Sequence, residues 1–299
     1  MSDRGRSLSG RRIGVFGKGG AGKSTVVVLL AGALRERGYA VCVLDADSTN
    51  IGLPQAFGLS QSPVPLMEYF GGMVFSGGVV TCPVDDPTPL AGAEIALDDL
   101  PGQYLGRNRE GITLLAAGKI ADQGPGAGCD GPVAKIARDL RIDTHGEPPV
   151  TLVDFKAGFE DSARGVVTGL DWGIVVIDPT TASVEMAVHM KRMVKLIKAG
   201  ALPATKHLDS PELVAWANKI FMSAAIQDVL FVLNRVRHEE MELYLRRKLS
   251  ERDIEPIGVI YEDTAISAAW LTGAPIDAAK AKDEAGRIIS ELEAILEPR

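Results

Sequence analysis

The apolar run Ile13-Gly-Val-Phe16 leads directly into Gly17-Lys-Gly-Gly-Ala-Gly-Lys-Ser-Thr25, and Lys23–Arg37 then carries apolar residues at three-to-four spacing. A strand that turns through glycines into a helix constrains this chain more than any other feature, because it sets a β–loop–α unit of the form G-x-x-x-x-G-K-[ST]. Gly17, Gly19, Gly20 and Gly22, with Ala21 between them, let successive backbone N–H groups converge on phosphate oxygens. The helix N-terminus adds its positive end, Lys23 reaches the terminal phosphates, and Ser24, followed by Thr25, offers a hydroxyl to Mg²⁺.

Six further β-rich runs follow at 40–45, 112–116, 150–154, 173–177, 229–234 and 256–260, with helical patterns at 133–139, 183–198, 239–252, 264–271 and 278–296. Strands alternating with helices imply a parallel sheet, and near-continuous apolar strands imply helices on both faces. The expected fold is therefore α/β: a doubly wound, mainly parallel sheet of seven to eight strands. Residues 11–299 read as one domain of this kind, with disorder expected in 1–10. An irregular insertion is expected at 60–111, where Gly and Pro make up 14 of the 52 residues between Ser60 and Gly111.

Composition narrows the function class. Lys and Arg total 32 against 39 Asp and Glu, a net charge of −7, which argues against a chain built to coat nucleic acid. Cys42, Cys82 and Cys129 are too few and too scattered for a disulfide framework, so a reducing cytoplasm is the expected location. No apolar stretch is long enough to span a membrane. The four histidines have no zinc-ligand spacing.

Three more segments point at the same ligand. Val41-Cys-Val-Leu-Asp45-Ala-Asp47 ends the second strand with two carboxylates where a doubly wound sheet presents its ligand edge, followed by Asn50. Leu152-Val-Asp154 is a hydrophobic strand ending in Asp, followed by a glycine-containing loop at Gly158. Asp45 and Asp154 are expected to organise Mg²⁺ through water. Phe231-Val-Leu-Asn234 puts an amide at the end of a late strand.

An ordinary phosphate loop needs no cation at Lys18. The form K-G-G-x-G-K-[ST] resembles the dimerising ATPases related to MinD, ParA and the nitrogenase iron protein. That resemblance implies ATP and ADP as ligands with Mg²⁺, slow hydrolysis coupled to a homodimer, and a Lys18 that crosses the dimer interface to the partner's nucleotide. It also implies that Asp47 positions or deprotonates the attacking water and that Asn234 reads adenine. Ile257-Gly-Val-Ile-Tyr261-Glu-Asp263 resembles the loop closing over the base, with Tyr261 where the family usually has Pro.

The resemblance runs furthest towards the CooC-type nickel-insertion ATPases, carried by Asp45-Ala-Asp47, Lys156–Glu160, Asp178–Glu185 and Leu100–Cys129. It implies a client metalloenzyme as partner. The family's C-x-C is here Cys129-Asp130-Gly131, so a dimer would offer two thiolates at its axis, with Asp130 or water completing a shell for Ni²⁺ or Zn²⁺. Two thiolates are too few for an all-cysteine [4Fe–4S] cluster. The competing expectation is a positioning ATPase of MinD or ParA type, controlling attachment to membrane or DNA. The net charge and a C-terminal stretch from Asp277 with six acidic and four basic residues speak against it. A small-molecule kinase would have no use for Lys18.

Overall fold

A computed structural model describes residues 6–119 and 129–296. The elements in order are β1 (Arg12–Gly17), α1 (Lys23–Glu36), β2 (Val41–Ala46), α2 (Leu53–Ala56), α3 (Leu66–Tyr69), β3 (Glu94–Ala96), β4 (Gly106–Arg107), β5 (Thr113–Ala116), α4 (Gly131–Asp139), β6 (Arg141–Asp143) and β7 (Val150–Phe155). They continue with α5 (Glu160–Ala163), β8 (Trp172–Ile177), α6 (Thr181–Lys198), α7 (Pro211–Met222), β9 (Asp228–Val236), α8 (Glu239–Ser250), β10 (Pro256–Tyr261), α9 (Thr264–Thr272) and α10 (Ala279–Leu296).

Eight strands form one sheet in the order β10-β9-β8-β1-β7-β2-β5-β4, and β3 pairs with β6 in a separate two-stranded ribbon. Every ladder of the large sheet is parallel except the edge pair β4–β5. The doubly wound α/β sheet is thus present with the seven expected strands and one short edge strand. Alternation along each central strand divides the core. Phe16, Leu44 and Phe155 face the cluster that holds α4 and α6, whereas Ile13, Val15, Val41 and Val43 face the cluster built on α1 and α10. The Phe16 and Phe155 rings stack with centroids 4.6 Å apart. Cys42 is fully buried in this core.

The 60–111 segment holds only short elements and is packed. Leu66, Val80, Ile95 and Leu100 join the α4–α6 cluster, while Phe75 and Val79 stay exposed. Two local features depart from expectation. Residues 6–10, expected to be disordered, form a turn that buries Leu8 completely and joins Arg6 and Ser9 to Glu147. The helix α7 was not expected, although Ser210 caps it by accepting from the Leu213 N–H and Pro211 stands at its first turn.

No helix among the described residues is long and apolar enough to cross a membrane. The C-terminal helix α10 buries Ala281, Ala285, Ile288, Ile289 and Leu292 against the body.

Candidate nucleotide-binding site

Strand register assembles the site. β7 lies between β1 and β2, with Asp154 opposite Val15 on one side and Asp45 on the other. Two carboxylates therefore stand side by side at the C-terminal edge of the sheet, directly beneath the loop that leaves β1. That loop enters α1 through Gly22 at φ 88°. A Cβ there would lie 2.2 Å from Asn234 Nδ2, so both the left-handed backbone and the space require glycine.

Loop amides that face a phosphate leave their carbonyls turned outward, and the end of β9 satisfies two of them. Asn234 Nδ2 donates to the Ala21 carbonyl at 2.7 Å, and Arg235 Nη1 donates to the Gly20 carbonyl at 2.6 Å. Arg235 has φ 58°, a rare value for a residue with a side chain, which turns its guanidinium back over the loop. One Asn234 amide hydrogen is thus spent on the loop, leaving Oδ1 and the other hydrogen for a base. On the far side, Trp270 Nε1 donates to Thr25 Oγ1 at 2.9 Å.

At the start of α1, Ser24 Oγ donates to Asp154 Oδ2 at 2.6 Å and accepts from Asn50 Nδ2 at 2.9 Å. The other oxygen, Asp154 Oδ1, is buried with no hydrogen-bond partner among the described residues. A buried carboxylate oxygen left open next to a serine hydroxyl suits a hard, oxygen-seeking cation. Ser24, Asp154 and Asp45 therefore fit Mg²⁺, which in such sites takes its remaining ligands from phosphate and water. Burial pushes Asp154 up to about 6 and Asp45 up to about 7, and it lowers Lys23 below the usual lysine value. Polyphosphate and a divalent cation would supply the charges that stabilise the ionised forms.

Asp47 lines the cleft. Its Oδ1 accepts from the Thr49 N–H at 3.0 Å and the Thr49 hydroxyl at 2.7 Å. Lys119 was not anticipated from the sequence. Its ammonium lies 2.6 Å from Asp45 Oδ2, 2.7 Å from the Asp47 carbonyl and 2.5 Å from the Asn50 carbonyl. The one available signal was a lysine just after an apolar strand at the ligand edge.

Asp130 joins the loops after β2 and β7 by accepting from Ser48 Oγ and pairing with Lys156. This corrects the expectation that Asp130 could complete a metal shell, because both its oxygens are engaged and its carboxyl is held below the usual range by these partners despite partial burial. Cys129 lies beside it, half-buried, its Sγ accepting from the Gly131 N–H at 3.4 Å. Among the described residues no group of three or more His, Cys, Asp or Glu could hold a metal ion.

The phosphate loop, Asp47 and Asn50 open into a cleft of about 520 Å³, a volume suited to a nucleotide. Asn234, Tyr261, Ile266 and Trp270 line one wall of it, and Asn234 and Trp270 also bond to the phosphate loop. The Tyr261 hydroxyl donates to Glu242, which pushes the phenol up to about 12, and Lys280 Nζ sits 4.6 Å from its ring centroid. Tyr261 is thereby fixed as wall. Lys18 is half-buried and makes no ion pair among the described residues.

The family model of the CobQ/CobB/MinD/ParA nucleotide-binding domain matches residues 15–276. The chain belongs to this family. Among curated proteins, it is 36% identical over 184 residues to an uncharacterised ATP-binding protein of Methanocaldococcus jannaschii, covering 61% of this chain and 72% of the relative. It is 29% identical over 263 residues to the carbon monoxide dehydrogenase accessory protein CooC of Rhodospirillum rubrum, covering 88% of each. Among solved structures, the cell division ATPase MinD of Pyrococcus furiosus superposes with a TM-score of 0.57 at 19% identity, covering 96% of this chain and 99% of that one. Cobyrinic acid a,c-diamide synthase of Mycobacterium smegmatis, with bound ADP and magnesium, superposes with a TM-score of 0.54 at 16% identity, covering 97% and 96%. The structural likenesses establish a shared P-loop fold.

Proposed function

We propose that this protein is an Mg-ATP-driven switch of the MinD/ParA type, in which ATP joins two copies and hydrolysis releases them. The observation that carries the reading is the pairing of a phosphate loop bearing the additional Lys18 with an open Asp154 oxygen beside the Ser24 hydroxyl. Backbone amides of residues 19–24 would hold the phosphates and Lys23 would neutralise their charge. Bound Mg²⁺ would offset the charge that develops between the β- and γ-phosphates. Asp47, at the mouth of the cleft, orients and deprotonates the attacking water, and Lys18 of each copy reaches the partner's phosphates.

Adenine is the base this wall favours, because Asn234 retains an acceptor and a donor. Calorimetric titration should find ATP bound at least about tenfold more tightly than GTP, the worth of one good hydrogen-bond mismatch. Equal affinity would remove Asn234 from base reading, and no binding of either would remove the reading as a whole.

A second reading, metalloenzyme maturation, is favoured by the CooC relative, which matches over nearly the whole of both chains. In that case two Cys129 thiolates meet across the dimer axis and hold one Ni²⁺ or Zn²⁺ per dimer, more tightly with ATP than with ADP. Metal titration of wild type and Cys129→Ser at fixed nucleotide decides it. Equal binding by the two, or none by either, leaves the MinD/ParA-type switch acting without a carried metal.

A further inference from the structure

Lys119 belongs to none of the motifs that define the nucleotide site, yet it touches three of the site's parts at once. β5 pairs in parallel with β2, with Ala116 opposite Asp45, so the chain that leaves β5 through Gly118 delivers Lys119 to the same edge of the sheet. An ammonium has three hydrogens to donate and no acceptor. Here three oxygens receive them: a carboxylate of β2 and the carbonyls of residues 47 and 50. The Asp45 side chain is 1% exposed and that of Lys119 is 18% exposed. One partner is therefore fixed in the core, whereas the other two belong to a loop whose remaining ties are the bond from the Asp47 N–H to Asp45 Oδ1 at 3.1 Å, its own turns, the Ser48–Asp130 bond and the bond from Asn50 to Ser24.

We propose that Lys119 is a positioning residue that serves as the site's internal counter-cation, latching the loop 47–50 to Asp45 so that Asp47 and Asn50 face the phosphates. By turning two loop carbonyls inward to one cation, the latch leaves the Asp47 carboxylate on the cleft side and the Asn50 amide on Ser24. The same cation partly neutralises a pocket that gathers Asp45, Asp47 and Asp154, and so it opposes the entry of Mg²⁺ while organising the loop that uses it. This rests on the Mg-nucleotide reading of the site.

Two opposed effects follow for Lys119→Met. Turnover falls, by about tenfold or more, because the loop carrying Asp47 is no longer held in place. Half-saturation by Mg²⁺ shifts to lower concentration, by roughly fivefold or more, because a positive charge a few ångströms from the cation site has gone. A lysine that only supported the fold would lower turnover and weaken Mg²⁺ together. Lys119→Arg separates charge from geometry: its planar fork cannot aim three donors at oxygens on three sides, so Mg²⁺ dependence returns to that of wild type while turnover stays low.

The experiment measures two things on the full chain, for wild type and both variants: Mg²⁺ affinity of the protein loaded with one equivalent of ADP, by calorimetric titration, and steady-state ATP hydrolysis at saturating Mg-ATP. Tighter Mg²⁺ with slower turnover in Lys119→Met supports the proposal. Wild-type turnover, or slower turnover with Mg²⁺ affinity unchanged or weaker, overturns it. If Lys119→Met does not fold, Lys119→Arg carries the test, and wild-type turnover in that variant overturns the latch. A wild-type chain that binds no Mg-ATP would overturn the nucleotide reading, and the latch with it.

Discussion

Lys23→Ala will lose ATP binding by about a hundredfold or more in calorimetric titration while keeping its fold. Two charge-assisted hydrogen bonds to phosphate at roughly 1.5–3 kcal/mol each account for a loss of that order. The structure adds why nothing nearby replaces them. Lys23 is buried and its ammonium already bears the cost of desolvation, so the site has been built around a cation held ready for an anion. Lys119 cannot move across to substitute, because its donors are committed to Asp45 and the loop after β2. Affinity within about threefold of wild type would mean that the loop binds no phosphate, since loss of even one such bond exceeds that.

Asp47→Ala will keep ATP and lose hydrolysis. On the proposed role of Asp47 as the group that orients and deprotonates water, its removal should lower turnover by about a hundredfold to ten-thousandfold. Alanine also removes the acceptor for the Thr49 N–H and hydroxyl, which shapes the turn. Asp47→Asn keeps an oxygen at that position and is the cleaner variant: an amide can hold the turn but cannot take a proton. Single-turnover phosphate release measures the effect. Retained turnover in Asp47→Asn, with loss only in Asp47→Ala, would assign Asp47 to the turn alone.

The sequence made the sheet and the two carboxylate strands legible for one physical reason. Strands buried on both faces need near-continuous apolar residues, so the carboxylate or amide that closes each apolar run marks the ligand edge, as Asp45, Asp154 and Asn234 do. β4 was not legible because two residues on a sheet edge carry no pattern, and α7 was missed although its Ser-Pro start was readable. Within the site, Gly17–Thr25 announced itself through local spacing. Lys119, Arg235 and Trp270 did not, because each acts through a long-range contact: 74 residues separate Lys119 from Asp45, 215 separate Arg235 from Gly20, and 245 separate Trp270 from Thr25. A lone lysine, arginine or tryptophan has no periodicity to betray such a partner. Asp130 was read as a spare ligand because neither Lys156 nor Ser48 adjoins it in sequence.

The switch itself is tested by the solution mass of Asp47→Ala, whose stalled hydrolysis leaves the ATP-bound state to accumulate. Light scattering with Mg-ATP should give twice the 31.7 kDa of one chain, falling to a single chain with Mg-ADP. A protein that binds ATP by calorimetry and stays at the mass of one chain in its presence would contradict the account.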